Sequence, residues 1–375
     1  MGAVEKLREV VTNRHRYARE WKAGTGGQVI GWFCTYVPEE IIYAAGMLPV
    51  RILGSHETED ITGAYMPSIY CPFSRDVLAQ GLKGRYDYLN GIVKARSCLH
   101  MRMTYTLWKQ LVPIDFTYYI YMPTHALNPQ AKPFLANEYA DFKEALEKWG
   151  GVRITSDDLD RAIEVYNRNR SLIKKVYEFR KADNPAITGA EALEMVLAGQ
   201  LMDKEEHNKL LEQLLEELPN RAVSRETVAR LMLVGSEMDD VDFIRTTEEL
   251  GATFVIEDHC TGTRYFWNEV IPEEDRLAAI AARYIDRQPC PSKDWSEHYR
   301  FPTILEFARD YNVQGVLLHQ QKFCDTNAFD VPALQRMFDG EGIPTIFLEF
   351  DMTVPFGQFR TRIEAFLEML RPGVT

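Results

Sequence analysis

The chain of 375 residues has no pair of cysteines at C-x-x-C spacing, which excludes zinc ribbons, thioredoxin-type redox pairs and the compact ferredoxin cluster signature. Its longest near-apolar stretch, Ile41 to Val50, is interrupted by Gly46 and Pro49 and falls far short of the roughly 20 residues that span a bilayer. Met1 to Arg16 is charged throughout, so no secretory leader is expected. At Gly2 a myristoylation signal fails because Lys6 stands where Ser or Thr is needed. A basic surplus is also missing: Lys plus Arg is 43, Asp plus Glu is 55, and the formal charge is −12. That balance argues against nucleic acid or an anionic membrane as the main partner. The expectation is a soluble, cytoplasmic chain with reduced thiols. No G-x-G-x-x-G, Walker A, G-x-S-x-G or H-E-x-x-H string occurs, so the usual dinucleotide-binding, ATP-hydrolysing and hydrolytic templates fail.

What is present is an ordinary globular composition, with 46% hydrophobic and 26% charged residues, and a change of pattern along the chain. Residues 1–150 mix helices with short apolar runs. Val4 to Lys22 predicts a helix, Val29 to Phe33 and Leu48 to Leu53 strands, Ser74 to Leu82 a helix, and Gly91 to Ala95 a buried strand. Thr35, Pro38, Glu39 and Glu40 read as a helix start. Residues 151–220 read as a helical connector, broken at Asn184-Pro185 and near Met202, whose runs Glu205-Glu206 and Glu216-Glu217 suit a solvated face. In residues 221–375, strands Arg230 to Gly235, Thr253 to Glu257, Val313 to His319 and Pro344 to Phe350 alternate with helices at Asp239 to Leu250, Pro272 to Ile285, Pro332 to Gly340 and Gln358 to Leu370. Such alternation predicts a parallel, helix-covered sheet.

Open parallel sheets bind ligands outside the carboxyl ends of their strands, and the cysteines cluster at such places. Cys98 follows the third strand, Cys260 follows TFVIE, Cys324 follows VLLH, and Cys71 lies just ahead of a helix start, where the dipole favours a thiolate. Several thiolates at one cleft suit an iron-sulfur cluster. The alternative is a set of buried thiols serving as small apolar residues.

The strings GWFCTYVPEEIIYAAGMLPVRILG (31–54), CPFSRDVLAQGLKGRYDYLNGIVKARSC (71–98), EDHCTGTRYF (257–266) and HQQKFCD (319–325) resemble the benzoyl-CoA reductase and 2-hydroxyacyl-CoA dehydratase family. The resemblance implies an α/β fold of two doubly wound parallel-sheet lobes with a helical connector: an N-terminal lobe with Cys71 and Cys98, and a C-terminal lobe with Cys260 and Cys324. It implies a 4Fe-4S cluster on Cys71, Cys98 and Cys324, with Cys260 as the alternative third ligand and Cys34 and Cys290 as structural thiols. It also implies a related second core subunit and a separate ATP-hydrolysing activator, in keeping with the missing phosphate-binding loop. The six cysteines invite the double-cubane branch of the family, but its T-x-C-D-G-K-K string is absent. SCLHMR and Leu107-Trp108-Lys109 are similar to the smaller core subunit of ATP-dependent benzoyl-CoA reductase, so an aromatic acyl-CoA is the expected substrate. A 2-hydroxyacyl-CoA dehydratase using ketyl radical chemistry, or a cluster-bearing structural partner of the substrate-binding chain, is the alternative. His100, His259 and His319 are the expected proton donors or polarising groups. Arg75, Arg264 and Lys322 are expected near CoA phosphates or cluster charge, and Tyr265, Phe266 and Trp267 near an aryl pocket or in the core.

Overall fold

Apolar runs that can be buried on both faces become inner parallel strands, and this chain builds two sheets from them. The computed structural model describes residues 1–57, 61–223, 227–294, 298–353 and 356–371. The first sheet contains β1 (Val29–Trp32), β2 (Leu48–Arg51), β3 (Gly91–Ala95) and β4 (Phe116–Ile120). The second contains β5 (Ala229–Gly235), β6 (Ala252–Asp258), β7 (Gly315–Gln321) and β8 (Thr345–Phe350). Their orders are β2-β1-β3-β4 and β6-β5-β7-β8, and every pairing is parallel, with Gly31 opposite Val50 and Ile92, and Leu233 opposite Glu257 and Leu317. In both sheets the chain steps outward from the first strand and returns on its other side. This leaves a crevice at the carboxyl ends of β1 and β3, and another at those of β5 and β7.

The two-lobed α/β expectation therefore matches the structure, with instructive local differences. The helix expected over Val4 to Lys22 is two, Ala3–Thr12 and Arg14–Thr25, because Asn13 leaves the helical region at φ −111° and ψ 41°. Strand β4 was not anticipated; it is an edge strand of aromatic and β-branched residues that is only half-buried. The helix expected from Pro332 begins at Asp325, directly after Cys324, and carries Pro332 inside it. Helices Leu99–Leu111, Ala131–Gly150 and Phe301–Asp310 add to the expected set.

Three long helices, Ser156–Glu178, Gly189–Ala198 and Lys204–Glu217, lie between the sheets in sequence. Thr155 with Asp158, and Thr188 with Glu191, close capping boxes on the first two, which satisfies amides that a helix start otherwise leaves open. The N-terminal helix Ala3–Thr12 packs on the second and third, with Ala3 N–H donating to the Glu217 carboxylate at 3.2 Å and Arg8 to Glu194 at 3.0 Å. The charge run at Glu205-Glu206 stays at the surface and pairs along it: Glu205 with Arg161 at 2.9 Å, and Glu206 accepting from Tyr17 at 2.7 Å. Helix Ala131–Gly150 from the first half packs on Arg276–Asp286 from the second, and one apolar core runs through both sheets. Among the described residues no helix is long and apolar enough to cross a membrane.

Candidate metal centre

Cys71, Cys98 and Cys324 occupy the same structural position three times. Each is the residue immediately before a helix: Pro72–Leu82, Leu99–Leu111 and Asp325–Gly340. First-turn amides have no intrahelical acceptor and carry the positive end of the helix dipole, so each thiol stands where negative charge is favoured. Phe323, at φ 59°, turns the chain so that Cys324 can begin its helix.

His100 ties these helix starts together. Its Nδ1 accepts the Cys71 N–H at 3.0 Å, its ring lies 4.9 Å from that of Tyr70, and its Nε2 is 3.9 Å from the carboxylate of Asp325. A residue two places beyond Cys98 therefore touches the Cys71 loop and the first residue of the Cys324 helix. Burial lowers its pKa, and Asp325 opposes this. Burial pushes the Cys71 thiol up, and the neighbouring charges of Cys324 and Cys98 push it further. Cys98 is pushed up to about 11, by burial first and by Cys324, against the pull of Lys94. Cys324 Sγ accepts from Asn327 Nδ2 at 3.2 Å.

Among the described residues no three His, Cys, Asp or Glu side chains gather closely enough to share a single metal ion. A cubane does not require that, because each thiolate takes its own iron at a separate corner. Thiols at three helix starts are soft donors of the type such a group takes, and the influence of Cys324 and Cys98 on Cys71 is that of neighbouring thiolate charge. A bound cation reverses the pKa logic and holds coordinating thiols deprotonated.

Cys260, the alternative third ligand, lies beside Arg51. Its Sγ is 4.0 Å from Arg51 Nη2, and burial moves it up to about 12, with Arg51 opposing and Glu237 adding to the shift. Cys34 behaves differently again: burial alone would raise it, but Lys94, Arg51 and a Ser97 hydrogen bond bring it down to about 7. Cys290 N–H donates to Tyr36 Oη at 2.9 Å, and both Cys34 and Cys290 act on Lys293, which burial brings down to about 8.

His259 and His319 lie together in the C-terminal half, rings 6.0 Å apart, and burial drives both well toward the neutral form. His259 Nδ1 meets Thr261 Oγ1 at 2.9 Å. Arg264 is ion-paired with Asp258 at 2.9 Å, and Lys322 with Asp351 at 2.7 Å. Arg75 acts on that same Asp351. Tyr265 bonds Lys204 Nζ at 2.7 Å and Glu39 at 3.2 Å, while Phe266 is buried against Tyr177 and Trp267 packs on Phe307; all three belong to the core. Glu39 and Glu40 do more than start a helix, since Glu40 is buried against Arg170 and accepts from Tyr284 at 3.0 Å.

Sequence reading passed over a second polar centre. Arg51 ends β2, Glu237 follows β5 by two residues, and Gln200 accepts the Arg51 N–H at 2.8 Å through its carbonyl. All three are buried, yet Arg51 Nε and Nη1, both Glu237 carboxylate oxygens and Gln200 Oε1 have no hydrogen-bond partner among the described residues. Burial, with Asp239 adding to it, pushes Glu237 far above the usual carboxyl range. The signal available in the sequence was a charged residue at, or just past, the end of an apolar strand.

The chain matches the family model described as 2-hydroxyglutaryl-CoA dehydratase, D-component, over residues 34–370. It is 28% identical to the beta subunit of (R)-phenyllactyl-CoA dehydratase from Clostridium sporogenes, covering 97% of each chain. It is also 28% identical to a subunit of benzoyl-CoA reductase from Thauera aromatica, covering 89% of this chain and 88% of that one. With the beta subunit of lactoyl-CoA dehydratase from Anaerotignum propionicum the identity is 27%, covering 98% of each.

Proposed function

Because the chain belongs to the 2-hydroxyglutaryl-CoA dehydratase D-component family, we propose that it is the iron-sulfur subunit of an ATP-dependent enzyme acting on an acyl-CoA thioester, with Cys71, Cys98 and Cys324 holding a 4Fe-4S cluster. The observation that carries this reading is the reach of His100 from the Cys98 helix to the Cys71 amide and toward Asp325 beside Cys324. When bound, the cluster supplies one-electron chemistry at a low potential, with one iron left open by a three-thiolate set. The chain's own part is positioning and exclusion. Three helix starts stabilise thiolate charge, Asn327 donates to Cys324 Sγ, and His100 orients the Cys71 loop.

Among acyl groups the reading favours an aromatic one, on the SCLHMR string at Ser97 to Arg102 and on relatives named for benzoyl-CoA and phenyllactyl-CoA. The second reading, membership of a 2-hydroxyacyl-CoA dehydratase, is favoured by the family description and by the phenyllactyl-CoA and lactoyl-CoA relatives. In both readings the cysteine face is covered by a second, related core subunit. Ile69, Leu99, Phe323 and Phe329 are exposed at 64%, 61%, 49% and 81%, and each is within five residues of one of the three cysteines, an apolar rim of the kind that marks an interface. Electrons come from a separate ATP-hydrolysing activator, since no Walker A string is present.

Anaerobic reconstitution with iron and sulfide tests the assignment. Cys71→Ser, Cys98→Ser and Cys324→Ser should each lose most of the bound iron and the reduced-state electron paramagnetic resonance signal, whereas Cys260→Ser should keep both. If Cys260→Ser empties the site and Cys324→Ser does not, the ligand set is wrong. Turnover of benzoyl-CoA against a 2-hydroxyacyl-CoA by the complex with activator and ATP decides between the two readings.

A further inference from the structure

A groove of about 590 Å³ lies along the outer side of helix Leu99–Leu111, where it meets the carboxyl ends of β3 and β4. Arg96, Arg102 and Lys109 line it, and all three are exposed. None of them makes an ion pair, and no acidic side chain lines the groove, among the described residues. That concentration is unusual on a chain whose net charge is −12. Three tyrosines run beside the cations as a ladder: Tyr105 and Tyr119 have ring centroids 5.6 Å apart, and Tyr119 and Tyr121 5.1 Å. Tyr121 is 58% exposed, and its N–H is held by Glu138 at 2.8 Å.

Cations without an ion-pair partner among the described residues, beside the exposed ring of Tyr121 and the half-buried ring of Tyr119, suit a ligand with phosphate at one end and a flat base at the other. Arg forks phosphate oxygens, Lys supplies a point charge, and Tyr offers a stacking surface. The acidic remainder of the surface repels a long polyanion, which limits the ligand to a few charges. From Arg102 to Gln110 the helix rises about 12 Å, enough for one nucleotide.

We propose that this groove binds an adenine nucleotide carrying two or three phosphates. Its source is either the nucleotide end of the acyl-CoA, an option that rests on the function proposed above, or a free nucleotide. Its lining residues Arg96 and Arg102 stand on either side of Cys98 in the chain, so the groove borders the segment that carries that cysteine.

The test uses the full-length chain purified anaerobically, titrated with adenosine 3′-phosphate 5′-diphosphate, with ADP and with pantetheine. Arg102→Ala/Lys109→Ala should weaken nucleotide binding at least tenfold and flatten its salt dependence, with an unchanged melting temperature because both side chains are exposed. Tyr121→Ala should weaken it severalfold, and pantetheine should respond to neither change. Tighter binding of the 3′-phosphorylated nucleotide than of ADP supports the acyl-CoA source; equal binding supports a free nucleotide. The proposal is overturned if neither nucleotide binds, if the double variant binds as tightly as the parent chain, or if that variant instead loses a co-purifying acidic protein. Iron and sulfide content, measured on the same samples, reports separately on the cysteine assignment.

Discussion

The two sheets repeat one strand order, yet their crevices hold different chemistry. In the N-terminal sheet β1 runs into Cys34 and β3 into Cys98, with the fully buried cation Lys94 between them. There burial raises both thiols and Lys94 opposes it: Cys34 falls to about 7 through Lys94, Arg51 and Ser97, whereas Cys98 still rises to about 11. In the C-terminal sheet β5 runs into Glu237 and Asp239, and β7 toward Cys324. Here buried carboxyls dominate and Glu237 is forced toward its neutral form by burial and Asp239. Topology decides where a crevice opens; the residue just past the strand decides what the crevice can hold.

The first way to break this comparison uses the glycines on its matching central strands. A Cβ on Gly235 would meet the backbone oxygen of His319 at 1.9 Å, whereas one on Gly31 would meet the side-chain ends of Ile52 and Leu89 at 2.7 Å. Because backbone cannot swing aside, Gly235→Ala should cost about 3 kcal/mol or more and Gly31→Ala about 1 kcal/mol in urea unfolding. Equal costs would mean that the second crevice has more room than its contacts indicate.

Next comes the ion cluster bridging the halves. Asp239 is fully buried, 2.6 Å from His56 Nε2 and 3.3 Å from Arg14. Asp239→Asn leaves both cations without their partner and should cost about 3 kcal/mol. Although burial opposes both charges, Asp239 raises His56 to about 10, and His56 with Arg14 lowers Asp239 to about 2. The His56 contribution is therefore complete below about pH 6.5 and fades as pH rises toward about 10. The Asp239 contribution is complete above about pH 4 and is lost as pH falls through about 2. Unfolding measured from pH 6 to pH 10 should show a decline that His56→Gln removes; a slope unchanged by that substitution would contradict the assignment.

A smaller effect of opposite sign is expected at Glu237. Its buried carboxyl, which has no hydrogen-bond partner among the described residues, is a cost to folding, so Glu237→Met should stabilise the chain by about 1 kcal/mol. Smallest is Thr155→Ala, which opens the capping box of helix Ser156–Glu178 and should cost about 1 kcal/mol or less. Differential scanning calorimetry of the two variants would show shifts in opposite directions.

Much of this architecture was legible before any coordinates. Strands β1, β2, β3, β5, β6 and β7 are buried along their whole length, and double burial shows in the sequence as a mostly apolar run. Strand β4 escaped notice because an edge strand keeps a half-exposed face and its five residues carry no such run. The start of the Cys324 helix was misplaced because Pro332 resembles a first-turn proline; the helix instead tolerates it at its eighth residue. Cys98, Cys260 and Cys324 stood out by their position after strands and Cys71 by its place ahead of a helix, whereas the groove of Arg96, Arg102 and Lys109 did not, because its members are spread over a strand end and one helix face.

What the sequence by itself determined was local: which buried segments are strands, and that Cys34, Cys98, Cys260 and Cys324 follow strands while Cys71 precedes a helix. These follow from contacts within a few residues, which a linear pattern can record. Only the tertiary structure decided that His100 reaches both the Cys71 amide and Asp325, that Cys260 lies beside Arg51, and that the Glu237 carboxyl is buried with no hydrogen-bond partner among the described residues. Those facts depend on how one sheet is set against the other. That setting is held by packing and by buried pairs such as Glu40 with Arg170 and Asp239 with His56, whose members are 130 and 183 residues apart.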